Sequence, residues 1–580
     1  MNAMKWFSTF LKKYYLRYAF AFVLVTIVAL CFIVNPVISG TIIDEVILGG
    51  RYEILPVLII IFISVTIFRS AVKYIYILIF ERASQGILFE MRDYVYRRLL
   101  EQDFSFYNKN RTGDLMSRQT GDMEAIRHFT AWTIYNVFDN VLIFLIAIVM
   151  TFIVDYRLAL CIICVVPLTA LTTAKQLKAI KPAFHKIRSQ FSSLTAFVQE
   201  NISGNRVVKA FTREDYEITK FNKENDDYRN AEINAAMIWR RYVPLFEFFV
   251  AASTIVLYLA GGIMVINGMI TLGQLVMVNG YIWMVNNPLR MAGWLANDYQ
   301  RFVTSVEKIY STIDVEPNIK ELDGPYTIPK LKGGVVFRGV SYTIEGEEVL
   351  KDINFTVEPG QTVGIIGATG SGKSTLMNLL CRFYDPTDGD ILIDRVNLKN
   401  YDLRSLRGNI GMAMQDVFLF SDTIEGNIAY GNPGCTFEEV KAAAEIANAA
   451  DFIMKMPEQY DTIVGERGVG LSGGQKQRIS LARALLKNPA IVILDDTTSA
   501  VDMETESIIQ DSLKHLGNRT AFFIAHRISS IKDADLILVI EDGVIVESGT
   551  HDELLDKKGY YHKVFNHQYG EFDGGINDKH

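Results

Sequence analysis

Apolar residues in this chain gather in its first half, in six runs near the length of a membrane crossing: Tyr18 to Ile38, Leu55 to Phe80, Trp132 to Ile153, Leu158 to Thr173, Val243 to Ile266 and Leu275 to Leu295. A helix needs about 20 mainly apolar residues to cross a ~30 Å hydrocarbon core. Six spanning helices are therefore expected. The fourth run is short and holds Pro167, which leaves its ends open. The first run is too long for the core of a cleavable signal peptide and shows no clear cleavage site. At 580 residues the chain exceeds one compact core, so a second domain is expected after the membrane half.

Charge orients the runs. The link after the first, "TIIDEVILGGRYEI", is acidic with one arginine. The links after the second and fourth carry "MRDYVYRR", "NKNRTGDLMSRQTGD" and "KQLKAIKPAFHKIRSQ". Positive loops stay in the cytoplasm, so both termini are expected there. The two inner links, about 50 and about 70 residues, are too long for structureless connections. Their helical periodicity predicts two hairpins reaching below the membrane, with tips near Thr112 to Arg118 and Ser203 to Thr212. Arg69, Lys73, Asp139 and Glu247 fall inside the runs. Intramembrane charges face a bundle interior or a wet cavity, so these either pair between helices or wall a polar cavity that touches cargo. Trp283, Met284 and Asn287 are candidates for the same wall. The pair Cys161 and Cys164 has CxxC spacing but lies in "LALCIICVVPL", where buried small residues are the simpler reading. The net charge of -7 gives no sign of a nucleic-acid partner.

The expected organisation is a membrane domain over residues 1–315, a Pro/Gly-bearing linker at 316–334, an α/β domain over 335–568 and a tail at 569–580. In the α/β part, "QTVGIIGATGSGKSTLMNLL" reads as an apolar strand, a glycine loop and a helix. Gly367, Ala368, Thr369, Gly370, Ser371, Gly372, Lys373 and Ser374, followed by Thr375, match G-x-x-x-x-G-K-[ST] in its required setting. Such glycines let backbone N–H groups wrap phosphate oxygens at a helix N-terminus. Lys373 can then reach the β- and γ-phosphates of ATP, and Ser374 can hold Mg²⁺. Asp495 ends the buried run Ile491–Leu494 and is placed to bind Mg²⁺ through water. In "LSGGQKQRISLARALLKNP", Ser472 reads as a helix N-cap, with Gly473, Gly474 and Gln475 opening a second candidate phosphate site.

These motifs resemble those of ABC exporter half-transporters over nearly the whole chain. They are the Walker A loop "GATGSGKS", Gln415 in "GMAMQD", "VGERG", the signature "LSGGQ", the Walker B strand ending at Asp495, the D-loop "SAVD" and His526 in "IAHR". The stretches "FYNKNRTGDLMSR" and "ENISGNRVVKAFTRE" resemble the family's two coupling regions. The resemblance implies a fold of six long membrane helices followed by an α/β P-loop NTPase domain with a helical subdomain. It also implies an ATPase that drives export, with Gln415 near the nucleotide and metal and His526 as the switch histidine. ATP would lie between Lys373 of one subunit and Ser472 of another, so a second half-transporter is the expected partner.

Two positions depart from the family pattern. The residue after the Walker B aspartate is usually glutamate and polarises the attacking water; here it is Asp496, followed by Thr497 where alanine is usual. Its carboxylate sits back by about 1 Å or more, and misplacement of that size can cost on the order of 10²-fold in rate. The aromatic residue that stacks on adenine falls at Ile344, so Tyr342, two residues earlier on the same strand face, is the candidate substitute. With "LSGGQ" intact, the expectation is a heterodimer in which this chain's Walker motifs form a slow site and its signature completes a catalytic site on a different chain. Two alternatives are a slowly hydrolysing homodimer and an ATP-binding regulatory subunit. The expected cargo is an amphipathic drug, lipid or peptide, and the expected location is a bacterial plasma membrane.

Overall fold

The structure is a computed structural model that describes residues 2–320, 324–465, 468–497, 503–514 and 519–569. Two compact units emerge, one of Met1–Glu101 and Asn110–Glu316, the other of Gln102–Lys109 and Pro317–His580.

The first unit is helical throughout. Among the described residues, five stretches are long and apolar enough to cross a membrane: Tyr15–Leu48, Tyr52–Leu100, Thr112–Val154, Tyr156–Ser203 and Glu214–Ile266. A sixth helix, Leu272–Ile313, is as long as these but less apolar, carrying Asn279, Asn286, Asn287 and Arg290. It is also an interior element, with Val278, Tyr281, Met284 and Val285 in the unit's core. An interior helix contacts little lipid and can carry polar side chains. The fourth stretch breaks at Cys164 and Val165 and restarts with Pro167 in the first turn of Val166–Ser203, where proline's missing N–H costs nothing. The helices run far past a bilayer's thickness: Leu55–Leu100 has 46 residues and Glu214–Ile266 has 53, or about 70 and 80 Å at 1.5 Å per residue. Val166–Ser203 and Glu214–Ile266 pack on each other as a hairpin whose turn holds the short helix Asn205–Ala210.

Three expectations are corrected here. Arg69 forms no ion pair among the described residues; its guanidinium lies 4.4 Å from the centre of the Phe32 ring, a cation–π contact. Trp283 is exposed while Met284 is buried, because adjacent helical residues point about 100° apart and cannot share one wall. Cys161, on helix Tyr156–Ile163, is only half-buried and Cys164, at the break that follows, is exposed, both as free thiols.

Among the described residues the second unit has two large sheets and a small antiparallel pair, Asp422–Thr423 with Ile463–Val464. An antiparallel one is ordered Glu347–Val357, Val335–Ile344, Asp388–Ile393, Val396–Asn397. A six-stranded one is ordered Val544–Gly549, Leu536–Glu541, Thr362–Gly367, Thr520–Ile524, Ile491–Asp495, Ile410–Ala413. Its pairings are parallel except the first, and strands buried on both faces read as continuous apolar runs such as "IVIL". Helices Ile424–Ala429, Phe437–Ile446 and Ala450–Met454 pack with Gly473–Leu486 around Ile428, Ala444, Ile453 and Ile479, forming the helical subdomain.

One boundary differs from the sequence reading. Gln102–Lys109 belongs to the second unit, upstream of the Thr112 to Arg118 tip. Phe104 packs on Phe383 at 4.5 Å, Asn108 donates to the Tyr384 hydroxyl at 2.9 Å, and Asp103 accepts from the Asn318 N–H. The end of the linker is tied down. The Asp394 carboxylate accepts the N–H groups of Lys332, Gly333 and Gly334, and Leu331 is buried. The contacts that anchor it come from residues far along the chain.

Candidate active site

Thr362–Gly367 delivers the glycine loop to the edge of the parallel sheet, and helix Lys373–Leu380 leaves it. The turn depends on glycine at Gly372, whose φ of 99° is unfavourable for a side chain and where a Cβ would lie 2.7 Å from Leu350 Cδ2. Gly370 also has positive φ and faces open space. Lys373 is 6% exposed, and its ammonium donates to Gly367 O at 2.9 Å and Ala368 O at 2.7 Å. Burial lowers its pKa, while Asp495 and Asp496 pull it back up. The Ser371 hydroxyl is buried with no hydrogen-bond partner among the described residues.

Asp495 ends the neighbouring strand and is also 6% exposed. Burial raises its pKa first of all; the hydrogen bond with Ser374 lowers it, and the Asp496 charge raises it again. A buried carboxylate with a half-buried one next to it and a serine hydroxyl beside it suits a divalent cation, which would relieve the repulsion between the two acids. With an orphaned serine hydroxyl, a buried lysine and a loop open at Gly370, the residues present fit ATP and Mg²⁺.

Asp496 is held by its backbone. It sits at φ 49°, its N–H donates to Ile524 O at 3.0 Å, and its carbonyl accepts from Gln477 Nε2 at 3.2 Å. The left-handed region admits aspartate more readily than most residues. Its carboxylate lies 3.5 Å from Gln415 Nε2, the outer limit of a hydrogen bond. His526 follows the strand Thr520–Ile524 and is close enough to act electrostatically on Asp495. Gln415, Asp496 and His526 thus meet near the Walker A loop. Gln477 was not singled out from sequence; its place inside the signature helix, two residues after the motif, was the available signal.

In the signature, Ser472 caps helix Gly473–Leu486. Its hydroxyl accepts from Gln475 N, and Gln475 Oε1 accepts from Ser472 N, a reciprocal capping box. Gly473 at the helix start is exposed, as a phosphate-contacting loop requires. The D-loop Ser499–Asp502, with Glu466 and Arg467 of "VGERG", lies outside the described residues.

Tyr342 is corrected. Its ring packs on Tyr384 at 5.6 Å and against the sheet core, and burial, with Tyr384 and Asp103, pushes its hydroxyl up to about 12. The exposed side chain near that end of the strand is Ile344, at 43%. The bulge between Tyr342 and Thr343, where the partner strand gains a residue, accompanies this inward packing.

Known proteins agree with this geometry. Residues 18–289 match the ABC transporter transmembrane region and residues 350–499 the ABC transporter family. The chain is 41% identical over 93% of its length to an uncharacterized ABC transporter ATP-binding protein, YknU, of Bacillus subtilis, covering 92% of that protein. This chain belongs to the ABC transporter family. It is an ATPase whose activity is coupled to transport, a multi-pass membrane protein with a helical domain fused to a nucleotide-binding domain. The ABC transporter is also 35% identical to a putative multidrug export ATP-binding/permease protein, YgaD, of Bacillus subtilis, over 97% of this chain and 99% of that one. To the ATP-dependent lipid A-core flippase of Syntrophus aciditrophicus it is 35% identical, over 94% and 90%. A solved bacterial Atm1-family ABC exporter with ATP bound superposes with a TM-score of 0.81 at 29% identity, covering 95% of this chain and 99% of that one. The ABC transporter therefore has the exporter fold and drives export with ATP.

Proposed function

We propose that this chain is one half of a heterodimeric exporter with unequal ATP sites. All six helices span the membrane in this reading, with both termini cytoplasmic in a bacterial plasma membrane. The observation that carries it is Asp496: a short carboxylate, pinned by its backbone and 3.5 Å from Gln415, beside an ordered Ser472–Gln475 cap. The loop Gly367–Gly372, Lys373, Ser374 and Thr375 would hold the phosphates, and Ser374, Gln415 and Asp495 would hold Mg²⁺. The bound metal would neutralise charge on the β- and γ-phosphates. Asp496 positions water poorly, so this site mainly holds ATP. Ser472, Gly473 and Gly474 complete a faster site on a partner that carries glutamate.

The cargo is an amphipathic molecule, a lipid or drug. This agrees with the flippase and multidrug-export names of the relatives at 35% identity. Asp496→Ala in the native complex should leave transport largely intact, and Ser472→Arg should abolish it. If Asp496→Ala stops ATP turnover by the complex, the unequal-site reading is wrong. A homodimer with slow hydrolysis at both sites is the second reading, favoured by the retained His526 beside Asp495. ATPase activity of the chain purified alone separates the two.

A further inference from the structure

We propose that Gln568 is a positioning residue for the switch histidine. The regular hydrogen bonding of strand Thr520–Ile524 ends at Ala525, whose N–H donates to Ile365 O at 3.1 Å. The next regular turn begins at Ile528. His526 and Arg527 lie between them. Gln568, on helix Tyr560–Tyr569, spans this gap with both ends of its carboxamide. Its Nε2 donates to His526 O at 2.8 Å, and its Oε1 accepts from Ile528 N at 2.9 Å. One side chain thus supplies the donor and the acceptor that a neighbouring strand would supply, on the two peptide units that flank Arg527, the first of which fixes the C-terminal side of His526.

The helix behind it is firmly seated. Tyr561 is fully buried in a cluster with Ala525, Ile528, Ile531 and Leu554. The Glu547 carboxylate accepts from the N–H groups of Tyr560 and Tyr561, and Tyr561 hydrogen-bonds His551 Nδ1 at 2.7 Å. Gln568 itself is exposed, so the clasp can be removed without opening the core.

A histidine acting at a γ-phosphate must stay within hydrogen-bond reach, and a drift of about 1 Å can cost on the order of 10²-fold. A partial drift, with the rest of the strand intact, should cost about 10-fold. The inference rests on His526 serving this chain's own ATP site. The test uses the full-length chain in nanodiscs with Mg·ATP, reading kcat, KM, the release rate of a fluorescent ATP analogue and thermal stability. Gln568→Ala is expected to lower kcat about 10-fold and to speed nucleotide release, with KM rising in step with release and Tm unchanged. Gln568→Glu keeps the acceptor for Ile528 but loses the donor to His526, and should fall between wild type and alanine. Because Gln568 acts through His526, adding Gln568→Ala to His526→Ala should cause no further loss. Wild-type kcat and release in Gln568→Ala, or a loss fully additive to that of His526→Ala, would overturn the proposal. Nucleotide release needs no turnover and so decides the matter even at a slow site. If His526→Ala changes neither rate, the histidine assignment falls along with this inference; if only Gln568→Ala is silent, the inference alone falls.

Discussion

Lengthening one side chain should speed ATP turnover. Asp496 cannot move its backbone to bring its carboxylate forward: its N–H is tied to Ile524 O at 3.0 Å and its carbonyl to Gln477 at 3.2 Å. The side chain therefore reaches only the outer edge of hydrogen bonding with Gln415, at 3.5 Å. Asp496→Glu adds one methylene and moves the carboxylate about 1 Å toward the place where water must be held, so kcat should rise by about 10- to 100-fold. That gain corresponds to about 1.4–2.7 kcal/mol in the barrier. The cost falls on stability. Residue 496 sits at φ 49°, where residues other than glycine, asparagine and aspartate lose about 1–2 kcal/mol. The variant should therefore be faster and slightly less heat-stable. Phosphate release by the full-length chain in nanodiscs measures the first, with Lys373→Ala as blank, and a melting curve measures the second. Wild-type kcat in an Asp496→Glu protein that binds ATP normally would show that carboxylate reach is not what limits this site.

Two further outcomes follow from the loop and its metal-binding acid. Gly372→Ala forces a Cβ against Leu350 at a φ of 99°, so ATP affinity in a nucleotide-binding titration should fall at least about 10-fold, while an alanine at Gly434, where a Cβ meets only Asn432 Oδ1 at 3.8 Å, should not change it. Asp495 has a folded-state pKa raised above 3.8, mainly by burial, so its ionisation costs stability that grows as pH rises through that window. Asp495→Asn should therefore melt higher than wild type at pH 7.5 without nucleotide, the difference closing toward pH 4; a gain that ignores pH would refute burial as the cause.

Some of this protein was legible because its signals are local. The apolar runs of the first half, the strand–glycine–helix of Walker A and the Ser472 cap are each set by neighbouring residues, through chain length against bilayer thickness, backbone freedom at glycine and a three-residue hydrogen-bond pattern. The choice of aspartate at position 496 is likewise a one-residue fact. Tertiary packing decided the rest, because it depends on what lies across space. Tyr342 turned inward because Tyr384 lies beside it, 42 positions on. Gln102–Lys109 joined the second unit because Phe383 and Tyr384 receive its aromatic and amide side chains. The linker became fixed because Asp394 accepts three of its N–H groups. Arg69 took a ring instead of a carboxylate because the Phe32 face was within reach. Periodicity and motif spacing report which face a residue occupies and which loop it builds; they carry no information on the distant side chain that will meet it there.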